Sequence, residues 1–184
     1  MGNDYDDLTA ADEEYFASPA GRSRRFDVGL LREPVTVLHN RTPLVFAGND
    51  SASKAMGAMQ AEHRGCVLIT EDGTLRGRVR GIFTERDVLR RVIDGGRNPA
   101  QLTLGEIMTR EPECLDSQAS IAWALNKMEV GGFRHVPAVD ESGRPQLVIS
   151  VRDIVAFLVA AFPEEILNLP PEYGIERYRE RDGA

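Results

Sequence analysis

Short apolar runs and helical apolar stripes alternate along the middle of the chain, and the whole order occurs twice. Residues 66–69 and 136–139 are uniformly apolar, which predicts two short buried strands. An amphipathic helix is predicted before each run, from apolar residues at helical spacing: Ala55, Met56 and Met59 in the first copy and Ile121, Leu125 and Met128 in the second. Gly65 and the pair 131–132 are predicted to end these helices. A turn, a strand and a second helix follow in each copy.

The two copies can be aligned by fixed shifts along the sequence. Pro43 pairs with Pro112 at a shift of 112 − 43 = 69, and Asp87 pairs with Asp153 at a shift of 153 − 87 = 66. The difference, 69 − 66 = 3, predicts a longer turn at residues 71–78 of the first copy. Residues 34–38 are interpreted as a first strand or a linker, and residues 42–46 as a short strand.

A hydroxyl residue and a carboxylate mark the junction between the last strand and the last helix of each copy. Thr84 precedes Asp87 by three positions, and Ser150 precedes Asp153 in the same way. The free N–H groups of a helix N-terminus attract anions such as phosphate, so a duplicated ligand site is one interpretation. The other interpretation is a pair of capping boxes that only start the helices.

Composition and charge narrow the function classes. The 184-residue chain carries a net charge of −7, which argues against general nucleic-acid binding. No apolar run approaches the ~20 residues of a membrane span, and the acidic start does not resemble a signal peptide, so no membrane association and a cytoplasmic location are expected. No nucleophile, P-loop or metal-spacing motif is found, so neither an enzyme nor a metal site is expected. The residues considered were His39, His63 and His135, with Cys66 and Cys114 expected as buried reduced thiols.

Three further stretches of the sequence carry a recognisable pattern. Residues 81–87 read Gly-Ile-Phe-Thr-Glu-Arg-Asp, residues 106–109 read Glu-Ile-Met-Thr, and residues 134–137 read Arg-His-Val-Pro. Together they resemble the CBS domain, a repeat named after cystathionine β-synthase, in a tandem pair called a Bateman module. The resemblance implies an α/β (α+β) fold of two tandem β-α-β-β-α repeats related by pseudo-two-fold symmetry. We place the first repeat at residues 32–101 and the second at 102–162, with an N-terminal arm at 1–31 and a C-terminal tail at 163–184.

The resemblance further implies a regulatory module that holds an adenosine-containing ligand in the cleft between its repeats. AMP, ADP or ATP is expected, with S-adenosylmethionine and NAD as further candidates and no required cofactor. The Asp carboxylates would accept ribose hydroxyls, and the hydroxyl residues would help to hold phosphate. The full set of predicted ligand-binding residues is Thr84, Asp87, Ser150, Asp153, Arg134, His135, Pro137, Val45, Phe46, Cys114 and Leu115, the last four flanking the adenine.

Two expectations concern assembly and site preference. A homodimer is expected through exposed helical faces that include Ala55, Met56, Met59, Ile121, Trp123 and Met128. The regulated protein is unknown, and the alternative function is a dimerisation scaffold that binds no nucleotide. The site of Asp87 is expected to be the tighter one for phosphorylated ligands, because Arg134 and His135 would serve it while only His63 and Arg64 would help at Asp153.

Overall fold

The computed structural model describes residues 28–38 and 41–162, so the predicted tail and nearly all of the predicted arm lie outside the described residues. The strands are β1 Val45–Ala47, β2 Cys66–Thr70, β3 Val79–Thr84, β4 Thr109–Arg110, β5 Leu115–Asp116, β6 His135–Val139 and β7 Pro145–Ser150. The helices are α1 Ala52–Ala61, α2 Glu85–Asp87 with its π-helical continuation Val88–Ile93, α3 Leu104–Ile107, α4 Ile121–Gly131 and α5 Val151–Ala161. Two 3₁₀ turns, Val28–Arg32 and Val35–Val37, precede β1.

Each repeat builds its own sheet, and the two sheets share one pattern. The first has the order β1-β2-β3-β4 and the second the order β5-β6-β7. β1 runs parallel to β2, as β5 does to β6, while β3 and β7 run antiparallel to their neighbours. A register shift falls between Ile69 and Thr70 in the first sheet and between Ala138 and Val139 in the second. These positions are related by the 69-residue shift, so the duplication and the fold class predicted from the sequence are confirmed.

A separate apolar core lies against each sheet. The first contains Phe83 and Ile69, and the second contains Ile149 and Val136, all of them almost completely buried. A smaller cluster joins the repeats, because Val148 of β7 packs against Cys66, Leu68 and Ile82 of the first sheet. The inner faces of the two sheets therefore meet through apolar contacts between the repeats.

The two repeats exchange the segments that open them. Val35 and Leu38 precede the first repeat's sheet but are buried in the core of the second repeat. The Val35 N–H donates to Ala119 O at 2.8 Å, next to the start of α4. In return, Leu104 and Ile107 of α3 are buried in the core of the first repeat, and β4 pairs with β3. The repeats are therefore held together by interlocked cores. Within residues 34–38, interpreted as a strand or a linker, Val35–Val37 form a 3₁₀ turn and Pro34 makes an isolated β-bridge to Ser120, so the segment is a linker and not a strand.

The residue that ends the first helix agrees with the prediction in the second repeat but not in the first. Gly132 takes a left-handed conformation, φ +64°, after α4, as a glycine C-cap does. In the first repeat the left-handed residue after α1 is His63, φ +50°, and not Gly65. His63 aligns with Gly132 at the 69-residue shift, so the two helices share their ending although only one has glycine there.

Most residues of the predicted dimer face are buried within the chain itself. Ala55, Met59, Ile121 and Met128 are buried in the chain's own cores, because α1 and α4 turn their apolar stripes towards the sheets. Met56 packs partly against the first core, and Trp123 alone of the predicted set is mostly exposed. These buried side chains are unavailable to a partner, so the prediction of this contact face was wrong.

Candidate functional site

Both predicted Asp residues start helices through capping boxes. Asp87 Oδ2 accepts hydrogen bonds from Thr84 N at 2.9 Å and from Thr84 Oγ1 at 2.7 Å, and Asp87 N donates back to Oγ1. Asp153 Oδ2 accepts from Ser150 N at 2.8 Å and from Ser150 Oγ at 2.6 Å in the same arrangement. Capping therefore occupies one carboxylate oxygen in each repeat, and it leaves Oδ1 for other partners.

The second carboxylate oxygens have different surroundings. Asp87 Oδ1 lies 3.3 Å from Arg91 Nε, one helical turn later. Position 157, one turn after Asp153, is Phe157. Within residues 28–38 and 41–162, Asp153 Oδ1 has neither a hydrogen bond nor an ion pair. The two carboxylates therefore differ in the surroundings of Oδ1, although they share the same capping geometry.

A cavity of about 750 Å³ opens between the repeats beside Asp153. We call it the Asp153 cavity. The first repeat contributes an apolar edge, including Pro43 and Leu44, that precedes β1. Arginines from both repeats line it, against the carboxylates of Glu85 and Asp153: Arg41, Arg64, Arg134 and Arg152. The lining therefore combines an apolar flank with an excess of positive charge.

A second cavity, of about 700 Å³, lies beside Asp87 and is called the Asp87 cavity. Pro112 and Glu113 stand where Pro43 and Leu44 stand in the other cavity, and Phe133 takes the place of Arg64. Acids and bases are balanced in its lining: Glu85, Asp87, Glu111 and Glu113 face Arg86, Arg90, Arg91 and Arg134. Equivalent positions of the two repeats thus line both cavities, but the charge of the lining differs.

Four residues, Gly65, Glu85, Arg134 and His135, line both cavities and form what we call the shared wall. Gly65 lies against the imidazole of His135, with Glu85 close by. Burial is the main cause that lowers the pKa of His135, and the positive charge of Arg134 acts in the same direction. The negative charges of Glu85 and Asp153 oppose this shift. His135 therefore favours its neutral form in this wall.

Family comparison agrees with the geometry. A family model described as "CBS domain" matches the chain twice, at residues 32–94 and 104–160. The chain belongs to the CBS domain family. The recognition made from residues 81–87, 106–109 and 134–137 is therefore confirmed.

Individual CBS proteins resemble the chain at modest identity. The mitochondrial CBS domain-containing protein CBSX3 of Arabidopsis thaliana is 28% identical over 123 residues, 66% of this chain and 59% of its own length. A solved structure of a signal-transduction protein with CBS domains from Burkholderia ambifaria is 27% identical, with a TM-score of 0.61 over 67% of this chain and 87% of that one. A CBS domain protein from Pyrobaculum aerophilum, solved in complex with AMP, is 20% identical, with a TM-score of 0.60 over 70% and 98% of the two chains. The chain thus spans well under two thirds of the curated relative's length.

The structure brings six of the predicted ligand-binding residues to the cavities between the CBS repeats. Thr84 and Asp87 line the Asp87 cavity, and Ser150 and Asp153 line the other. Arg134 and His135 line both, which differs from the expectation that they serve Asp87 alone. Arg41 and Arg152 also supply the Asp153 cavity, so its cations are more numerous than the sequence indicated.

The other five predicted residues line neither cavity. Phe46 and Leu115 point into the two CBS cores, and Pro137 is buried in the middle of β6. Val45 packs against the cluster between the sheets, and the half-buried Cys114 directs its Sγ to Pro112 O at 3.4 Å. Apolar side chains at the cavities come instead from Pro43 and Leu44 before β1 and from Pro112 before β5, together with the strand residues Ile82 and Val148.

Several cavity residues were not predicted from the sequence. Ile82 and Val148, related by the 66-residue shift, line the Asp87 and Asp153 cavities respectively. Their signal was present, since each lies two positions before a capping hydroxyl residue. Arg91 carried no such signal. Its position in the Asp87 cavity depends on how the π-helical part of α2 packs against the segment between the CBS repeats.

Both cysteines are free thiols. Cys66 is buried, lines the Asp153 cavity and has its pKa raised to about 12 by burial. Burial also raises the pKa of Cys114, to about 11. Neither thiol is therefore ionised near neutral pH.

Among the described residues, no group of three or more His, Cys, Asp and Glu side chains could hold a metal ion. None of the described helices is both long enough and apolar enough to cross a membrane.

Proposed function

We propose that this CBS pair is a ligand-sensing regulatory module that binds adenosine-containing nucleotides in the cleft between its repeats and signals to a partner protein. The observation that carries the proposal is the Asp153 cavity, where a helix-capping carboxylate, an apolar flank and four arginines face one space between two interlocked repeats. Adenine, ribose and phosphate each need one of these three surfaces.

The ribose and adenine would be held at the ends of the Asp153 cavity. Asp153 Oδ1 is available to accept a ribose hydroxyl, because capping uses only Oδ2. Leu44 supplies an apolar side chain for the adenine ring, and Val148 of β7 lines the same space. A carboxylate of this kind in a cleft forms charge-assisted hydrogen bonds with hydroxyl donors.

The phosphates would be held by arginines. Arg64 donates from Nη2 to Thr42 O at 3.1 Å, which fixes its position beside the cavity, and its buried Nε has no hydrogen-bond partner within the described residues. Arg134 adds a planar fork from the second repeat. Because the chain is acidic as a whole, this local excess of positive charge is needed to attract phosphate.

This arrangement reverses the expectation of which cavity binds phosphorylated ligands more tightly. We propose the Asp153 cavity as the tighter site for phosphorylated ligands, whereas the sequence had favoured Asp87. The reason is that Arg64, where the other cavity has Phe133, and Leu44, where it has Glu113, suit a nucleotide better. The AMP complex of the Pyrobaculum neighbour, which shares the fold, makes AMP the first ligand to test.

The decisive experiment is isothermal titration of the purified chain with AMP, ADP, ATP, S-adenosylmethionine, NAD and adenosine. We expect saturable binding of at least one phosphorylated ligand, with a loss of at least about tenfold in Asp153→Asn, since a hydrogen bond to a charged group contributes ~1.5–3 kcal/mol. Asp94→Asn is the matched control, because Asp94 is exposed and lines neither cavity. No binding by any member of the panel would contradict the proposal.

The alternative function is a dimerisation scaffold without a nucleotide. Trp123 and Val130 support it, since both are exposed and lie seven residues apart on α4, where they share one face. A homodimer is compatible with either function. A dimer in sedimentation experiments together with no response to any nucleotide would favour the scaffold. The regulated partner and the cytoplasmic location stay predictions.

A further inference from the structure

We propose that Arg91 is a specificity-determining residue that makes the Asp87 cavity poor at accepting a neutral nucleoside. The inference rests on the proposed nucleotide-binding function and concerns which ligands each cavity takes. Asp87 and Asp153 are equivalent by sequence shift and by capping geometry, yet among the described residues only Asp87 has a cation on its second carboxylate oxygen. That oxygen is the acceptor a ribose hydroxyl would need.

Arg91 is fixed at several points. Its Nε lies 3.3 Å from Asp87 Oδ1, while Nη1 donates to Ile107 O at 2.6 Å and Nη2 donates to Thr109 Oγ1 at 3.2 Å. Ile107 ends α3 and Thr109 begins β4, so the guanidinium joins α2 to the exchanged segment. These bonds hold the side chain across Asp87, and a ribose must displace it or share the oxygen with it.

The chemistry of the ligand determines how much binding affinity is lost in this competition with Arg91. A neutral nucleoside offers only hydroxyl donors to Asp87, and these compete directly with the guanidinium. A phosphorylated ligand also offers anionic oxygens that Arg91 can engage as a planar fork. The Asp87 cavity should therefore discriminate by phosphate, whereas the Asp153 cavity, with Phe157 in the equivalent place, should accept adenosine on its ribose alone.

The test measures adenosine and AMP binding at the Asp87 cavity in the Asp153→Asn background, by isothermal titration. Adding Arg91→Gln should tighten adenosine binding by up to about fivefold, the size of an exposed ion pair. AMP should gain less or lose affinity, because Arg91 is also a partner for phosphate. Arg97→Gln is the control, since Arg97 is exposed, lies beyond the end of the same helix and lines neither cavity.

Each outcome decides the inference. Unchanged or weaker adenosine binding in Arg91→Gln, or equal shifts for adenosine and AMP, would overturn it while leaving the nucleotide function intact. No binding of either ligand by any variant or by the wild type would overturn both proposals together. Arg91→Met keeps the apolar stem of the side chain and serves as the second variant if Arg91→Gln unfolds on thermal melting.

Discussion

Gly65 and His135 are packed so closely that a Cβ on Gly65 would lie 2.7 Å from Nε2 and 2.9 Å from Cε1 of the imidazole. Carbon and nitrogen atoms do not approach so closely without repulsion, so any side chain at position 65 must push His135 aside. The two residues come from different CBS repeats and belong to the shared wall of both cavities. The glycine therefore sets where the second repeat's imidazole can lie.

We accordingly expect Gly65→Ala to weaken nucleotide binding and to lower the free energy of unfolding by about 1 kcal/mol, through displacement of His135. Isothermal titration and chemical denaturation measure the two effects. Gly57→Ala is the control, because Gly57 lies inside α1 and a Cβ there meets nothing within 4 Å. That substitution should instead stabilise the chain by about 0.5–1 kcal/mol. Equal behaviour of the two variants would show that the contact with His135 is unimportant.

The paired carboxylates give a second prediction. Asp87→Ala combined with Asp153→Ala should abolish nucleotide binding, because both ribose acceptors are removed. Since each side chain also completes a capping box, each substitution should cost of order 1 kcal/mol of stability. Asp87→Asn with Asp153→Asn keeps an oxygen for the cap and separates the two effects. Wild-type affinity in either folded double variant would mean that the carboxylates serve only as caps.

A third prediction concerns Arg134, which lines both cavities. Arg134→Ala should weaken AMP and ATP about tenfold or more at either cavity, and it should leave adenosine nearly unaffected, because only phosphate uses the guanidinium. Titrations in the Asp87→Asn and Asp153→Asn backgrounds report the cavities one at a time. A loss of equal size for adenosine and AMP would show that Arg134 shapes the cleft without contacting phosphate.

The sequence predicted the repeat, the strand and helix order and the capping residues, because these depend on local spacing. The capping hydrogen bonds join Thr84 to Asp87, only three positions along the chain, so the local sequence pattern is enough to predict them. The sequence placed the apolar residues that flank the cavities one or two positions too far along the chain, for example at Val45 instead of Leu44. Apolar character alone does not distinguish a strand residue in the core from the residue that precedes the strand. Only the fold shows which of them faces the cleft.

Contacts between distant segments could not be predicted from one sequence. The burial of Val35 in the second core depends on the exchange of opening segments, which no local pattern encodes. The same holds for Arg91, whose partners Ile107 and Thr109 are 16 and 18 residues away. The contacts of Arg91 add to the differences in lining, such as Arg64 against Phe133, that distinguish the two cavities although the motifs at Asp87 and Asp153 are nearly identical.

The two thiols give a fourth prediction. Because burial raises the pKa of Cys66 to about 12 and that of Cys114 to about 11, both should react with iodoacetamide at pH 8 far more slowly than glutathione does. Mass spectrometry of quenched samples follows the reaction at each residue. Unfolding the chain in guanidinium chloride is the control and should restore rapid alkylation. A native rate equal to that of glutathione at Cys66 would contradict its burial.

The last prediction follows from the pKa of His135, which burial lowers from its ordinary value near 6.5 despite the opposing charges of Glu85 and Asp153. Well above pH 6.5 the imidazole is neutral in both the folded and the unfolded chain, so its contribution to stability is fully present. As the pH falls below 6.5, the unfolded chain takes up a proton before the folded one does. Stability is therefore lost until the pH has passed through the lower folded pKa, where both states are protonated.

Denaturation at a series of pH values from 8 to 5 measures this effect as the difference between the wild type and His135→Gln. The wild type should lose more stability than the variant on acidification. The difference should change by no more than about 1.4 kcal/mol per pH unit, the limit for one proton. Carboxylates that do not interact with His135 titrate alike in both chains and cancel in the comparison, whereas Glu85 and Asp153 belong to the measured difference because their charges act on the imidazole. A difference that does not depend on pH, or a wild type that gains stability relative to His135→Gln as the pH falls, would mean that the imidazole is not held neutral by burial in the shared wall.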